Sequence, residues 1–160
     1  MSQVVFYVFA TEEKSNSVAI SAHFAHACRI AAFFYAQNKK VFIHTDSKED
    51  AFAVDEYLWQ FDGDSFVPHN LLGEGPKFGT PVEISWQAPL HPRPILINLS
   101  QKTPDFAINF QHIIDFVPFL EPQKIAARIR YSTYKKMGLT LSTQNVENNS
   151  MAESTNKTED

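Results

Sequence analysis

The chain has 160 residues, 44% hydrophobic and 20% charged, enough for one domain with a proper core. Its only cysteine, Cys28, excludes an intrachain disulfide and fits a cytoplasmic compartment. No apolar run reaches the roughly 18 residues of a membrane span, and no basic region precedes the N-terminal apolar stretch, so neither a span nor a secretion signal is expected. The net charge of -4 is unevenly spread: residues 121–140 carry Lys124, Arg128, Arg130, Lys135 and Lys136 against Glu121, a local +4, leaving -8 for the remainder. That balance lacks the broad positive face of a generic DNA binder and suits an acidic target of limited size.

In chain order, Val4 to Phe9 reads as an apolar strand and Ser17 to Gln37 as a long alanine-rich helix. Lys40 to His44 reads as a second strand. Asp46 or Ser47 caps a helix through Trp59, with Ala51, Val54 and Leu58 as its inward stripe. Val82 to Trp86 and Ile95 to Leu99 are further strands, and Pro104 opens a short helix through Phe110. Ile113 to Val117 is another strand, closed by Pro118, and Pro122 starts a helix to Met137 that Gly138 stops. Strands alternating with helices predict a three-layer α/β domain with a largely parallel sheet flanked by helices, over residues 1–142. Polar and acidic composition predicts a disordered tail over 143–160.

The connection from Phe66 to Trp86 holds three glycines and three prolines among large apolar residues, the composition of a shaped loop. Its Gly73-Glu74-Gly75-Pro76-Lys77-Phe78-Gly79 stretch runs into Thr80-Pro81 and a strand. A phosphate loop opens a helix whose amides receive the anion, so the fold is nucleotide-binding-like without a phosphate loop. His23 and His26 share one helix without a matching third ligand, and no metal site or cofactor is expected. No Gly-x-Ser-x-Gly elbow nominates a nucleophile, and no catalytic residue is assigned.

On the last helix, Lys124, Arg128, Tyr131 and Lys135 fall in one narrow stripe at about 100° per residue. Cations around an aromatic ring suit a carboxylate with a neighbouring hydrophobic side chain. Spacing alone leaves open a solvated face whose cations complement the helix dipole. It also leaves open stacking of single-stranded DNA on Tyr131 and Tyr134. Ile125 and Ile129 form a separate apolar stripe expected to dock on the sheet.

Several motifs together resemble the chi subunit family of the bacterial DNA polymerase III holoenzyme. They are Val5-Phe6-Tyr7, Ala27-Cys28-Arg29-Ile30-Ala31-Ala32, Asp55-Glu56-Tyr57-Leu58-Trp59 and Ser65-Phe66-Val67-Pro68-His69-Asn70-Leu71. They continue with Gly73-Glu74-Gly75-Pro76, Pro81-Val82-Glu83-Ile84, Asp115-Phe116-Val117-Pro118, and Arg128, Arg130, Tyr131 and Tyr134. The resemblance spans residues 4–142 and implies a non-catalytic adaptor during DNA replication. Such a protein pairs with the psi subunit of the clamp loader and binds the acidic C-terminal tail of single-stranded DNA-binding protein, meeting DNA only indirectly. It implies a tail site at Lys124, Arg128 and Tyr131, with Lys135 beside them. It implies psi contacts at Phe66, to which Val67, Pro68, His69 and Leu71 are added as neighbours in the motif. Where relatives often carry a second basic residue directly after the tyrosine, this chain has Ser132.

Overall fold

A computed structural model describes residues 2–9, 21–60, 67–72 and 80–146. Along these residues run β1 (Gln3–Phe9), α1 (Ala22–Ala36), β2 (Val41–His44), α2 (Lys48–Trp59), β3 (His69–Leu71), β4 (Val82–Ser85) and β5 (Ile95–Asn98). A 3₁₀ turn (Asp105–Asn109), β6 (His112–Val117), α3 (Glu121–Lys136) and β7 (Thr140–Val146) follow. The described strands form one sheet in the order β3-β4-β2-β5-β6-β1-β7, every neighbouring pair parallel. The α/β architecture with a parallel sheet is the one the alternation of elements predicts.

Central strands are apolar at consecutive positions because both faces of the sheet are covered. In β2, Val41 and Ile43 point to the layer of α1 and α2, while Phe42 points to the opposite layer of α3 and the 3₁₀ turn. Ala27, Cys28, Ile30 and Ala31 of α1 pack with Ala51, Val54 and Leu58 of α2 against the first face. Small alanines let α1 sit close to the strands, and the predicted α2 stripe is fully buried. Ser47 is the cap of α2, its Oγ accepting from the Asp50 amide at 3.1 Å. Asp46 is used differently: its carboxylate accepts the Gln101 amide at 3.1 and 3.0 Å, tying the β2 end to the loop after β5.

Three boundaries differ from expectation. Helix α1, expected from Ser17, begins at Ala22 with Ser21 extended before it, and residues 17–20 lie outside the described residues. The strand β7 continues to Val146, so residues 143–146 belong to the sheet, paired with β1 from Gln3↔Thr140 to Phe9↔Val146. An edge strand is held by its backbone ladder, so Ser142, Thr143, Gln144 and Asn145 stay exposed without weakening the element. Residues 147–160 lie outside the described residues. The short strand β3 emerges inside the Phe66-to-Trp86 connection, pairing His69–Leu71 with Val82–Ile84. The helix α3 ends as expected, with Gly138 at φ +86°, a left-handed position that glycine takes at little cost.

Candidate docking surfaces

Helix α3 presents two different faces. Toward the sheet it turns Ala127, Arg130 and Tyr134, all buried. Ile125 and Ile129, expected to dock there, are 50% and 63% exposed and point to solvent. The inward face is polar because its partners are already in place. Arg130 Nε donates to both Asp115 oxygens at 3.1 Å, and its other nitrogens donate to the carbonyls of Gln101 and Phe116 at 2.9 Å each. Tyr134 donates its hydroxyl to Asp115 Oδ2 at 2.8 Å, and Asn98 donates to the same oxygen at 3.1 Å. A buried charge so fully paired is tolerated, which an apolar-inward rule misses. Burial, with Asp115 adding to it, holds the Tyr134 hydroxyl well above its ordinary pKa. Its burial also removes Tyr134 from any stacking role with single-stranded DNA.

Toward solvent, α3 carries the predicted stripe. Arg128 and Lys135 are exposed, Tyr131 is 38% exposed, and Lys124 is half-buried with its ammonium 5.0 Å from the Phe119 ring centroid. The Tyr131 ring is fixed from below by Phe6 of β1, centroids 5.5 Å apart. Arg128 meets Glu121 at 3.7 Å with both side chains largely in water, a weak pairing that a ligand carboxylate can replace. The four side chains Lys124, Arg128, Tyr131 and Lys135 thus share one solvent-facing stripe on a helix anchored from behind.

The second predicted set is mostly interior. Val67, His69 and Leu71 are buried and Pro68 is half-buried, while Phe66 and the Gly73-Glu74-Gly75-Pro76 motif lie outside the described residues. His69 bonds the Val67 carbonyl through Nδ1 at 2.7 Å and meets Asp55 of α2 through Nε2 at 3.2 Å, with the Trp59 ring 4.9 Å away. These contacts clamp the start of β3 to α2 directly after Phe66.

At the carboxyl ends of β2, β5 and β6, where doubly wound sheets hold ligands, lies a crevice of about 310 Å³. Asp46, Asn98, Ser100 and Asp115 line it, and Arg130 closes its floor in the ion pair with Asp115. The cation a phosphate would need is therefore already committed. Beside it, burial lowers His23 to a pKa of about 4, with Arg130 adding to the effect. Burial likewise lowers His26 to about 4, reinforced by Arg29. Burial pushes the Cys28 thiol up, leaving it an unreactive core group. Among the described residues no group of three or more His, Cys, Asp or Glu side chains could hold a metal ion, and no helix is long and apolar enough to cross a membrane. A second buried pair, Arg93–Glu83 at 3.1 Å, joins the loop before β5 to β4. Sequence reasoning passed over both buried pairs. For Arg130 the available signal was its place on one helical face with Ala127 and Tyr134.

These features define a parallel α/β domain whose crevice at the strand ends has its own ion pair in the lining and whose last helix offers a cationic outer face. The family model described as "DNA polymerase III chi subunit, HolC" matches residues 1–142, and the chain belongs to that family. It is 48% identical over 122 residues to the DNA polymerase III subunit chi of Haemophilus influenzae, covering 75% of this chain and 85% of that one. Identity to the Escherichia coli subunit chi is 39% over 145 residues, covering 89% and 97%. The Pseudomonas aeruginosa subunit chi is 30% identical over 142 residues, covering 88% and 94%. Among solved structures, that of T4 UvsW superposes with a TM-score of 0.60 at 9% identity, covering 90% of this chain and 41% of that one. At that identity the likeness concerns the fold alone. Membership of the chi family places the chain in DNA replication as a DNA polymerase III subunit.

Proposed function

We propose that the chain is a non-catalytic cytoplasmic adaptor, joined to the clamp loader through the psi subunit and to the acidic C-terminal tail of single-stranded DNA-binding protein through α3. The observation that carries this reading is the outward stripe of Lys124, Arg128, Tyr131 and Lys135 on a helix whose opposite face is fixed by Arg130, Asp115 and Tyr134. Arg128 offers two parallel N–H donors to the terminal carboxylate. Lys124 and Lys135 meet upstream acids, and the Tyr131 ring walls the site for the terminal phenylalanine. Phe66, which precedes in sequence the segment that His69 anchors to α2, supplies the psi contact together with its neighbours Val67, Pro68 and Leu71. Burial of Tyr134 weakens the competing reading in which paired tyrosines stack bare single-stranded DNA. Calorimetric titration with a peptide of the acidic tail tests the first half of the proposal. Saturable binding that weakens with salt is expected, and a tail peptide that shows no heat of binding at low salt contradicts it.

A further inference from the structure

The outward face of α3 is wider than the cationic stripe. Ile125 and Ile129 stand 50% and 63% exposed, and Leu120, at the start of the same helix, is 56% exposed. Phe119, 37% exposed, lies beneath the Lys124 ammonium. Single exposed apolar residues are ordinary, but Ile125 and Ile129, one turn apart, share one flank of the helix. At about 100° per residue, Ile125 and Ile129 lie roughly 100° around the helix from Lys124 and Arg128. Lys136 closes the far end of this flank, and Glu121 is the only acid on the helix.

We propose that Ile125 and Ile129 form a ledge that receives the aliphatic side chains of an extended acidic peptide while its carboxylates face Lys124 and Arg128. The proposal rests on the reading of α3 given above and extends it to the ligand's pattern. Charge selects the occupant: the ledge adjoins Arg128 on one side and Lys136 at its far end in a segment of net +4, so an apolar guest must bring acids with it. Spacing fits as well. Side chains four apart on a helix are about 6 Å apart along its axis, and alternate side chains of an extended chain are about 6.7 Å apart. Successive residues of an extended peptide point to opposite sides, so one set meets the cations as the other meets the ledge. Preferred ligands therefore alternate acidic and aliphatic residues.

Two short synthetic peptides test this, both ending in phenylalanine: one alternates aspartate with isoleucine, the other aspartate with serine. The wild-type chain is expected to bind the isoleucine peptide about tenfold more tightly, from burial of the added apolar surface. In Ile125→Ser/Ile129→Ser the serine peptide should bind as to wild type and the tenfold preference should vanish. Equal affinity of the two peptides for wild type, or a preference that survives in the double variant, overturns the ledge. Self-association of the chain that is lost in the double variant, with no peptide preference, overturns it in favour of a second copy on this face. Failure of the underlying reading looks different: the serine peptide then binds wild type and Arg128→Ala alike, or binds neither.

Discussion

Arg130 on α3 and Asp115 on β6 are joined edge-on, with Nε 3.1 Å from each carboxylate oxygen and Nη2 3.1 Å from Oδ1, in a setting where Asp115 is fully buried and Arg130 nearly so. The pair does two things at once. It lines the crevice at the strand ends, and it fixes which side of α3 faces water. The stripe of Lys124, Arg128, Tyr131 and Lys135 is outward because Arg130 is inward.

Removing one member of this pair should be costly. Asp115→Ala leaves a buried guanidinium without its counter-ion and takes away the acceptor of the Tyr134 hydroxyl and one of the two acceptors of the Asn98 amide. A loss of about 3–5 kcal/mol is expected in denaturant unfolding. Asp115→Leu combined with Arg130→Met should recover part of it, since no unpaired charge then remains. A midpoint unchanged by Asp115→Ala would show that the pair does not anchor the helix.

Two histidines of α1, His26 buried and His23 half-buried beside the crevice, set an acid limit. His23 and His26 are held at about 4, below the ordinary 6.5, mainly by burial. The unfolded chain therefore takes up protons first as pH falls. Stability is fully present above about pH 6.5 and drains away between there and about pH 4, by a few kcal/mol in total. His26→Leu should make the fall visibly shallower in urea titrations between pH 7.5 and 4.5. An unaltered slope would exclude His26 as a contributor.

The C-terminal boundary can be tested by truncation. Ending the chain after Val146 keeps every β1–β7 pairing, whereas ending it after Ser142 removes the partners of Phe6 to Phe9. The shorter form should melt several degrees lower and the longer one like the full chain. Equal midpoints would mean that residues 143–146 add nothing to the sheet. Residues 147–160 hold four acids, Glu147, Glu153, Glu159 and Asp160, so the Val146 truncation also shows whether they compete with an acidic ligand.

The Phe66 segment separates docking from packing. Val67→Ala and Leu71→Ala remove side chains from the core and should lower stability, Leu71→Ala by about 2–5 kcal/mol. Phe66→Ala should instead leave the thermal midpoint in place and lose psi, with about 2 kcal/mol or more of binding gone. A large drop in the Phe66→Ala midpoint would assign that residue to the core.

What the sequence makes legible follows the strength of its periodic signals. The stripe of Ala51, Val54 and Leu58 and the cap before it locate α2, because apolar spacing and capping chemistry agree there. The central strands are readable as short apolar runs for the same reason. On α3 the rule that apolar residues turn inward fails. The interior position is taken by Arg130, whose cost of burial is met by Asp115, fifteen residues away and on another element. That pairing has no local signature. Polar β7 is hidden because its stability lies in backbone bonds to β1. The cationic stripe is readable because four residues at helical spacing need only the helix itself.

The most direct measurement is copurification of psi and single-stranded DNA-binding protein with the wild-type chain, Arg128→Ala and Phe66→Ala. The wild-type chain should retain both partners. Arg128→Ala should keep psi and lose single-stranded DNA-binding protein, and Phe66→Ala should do the reverse. Retention of single-stranded DNA-binding protein by Arg128→Ala in the presence of psi would contradict the assignment of α3 as the tail-binding face.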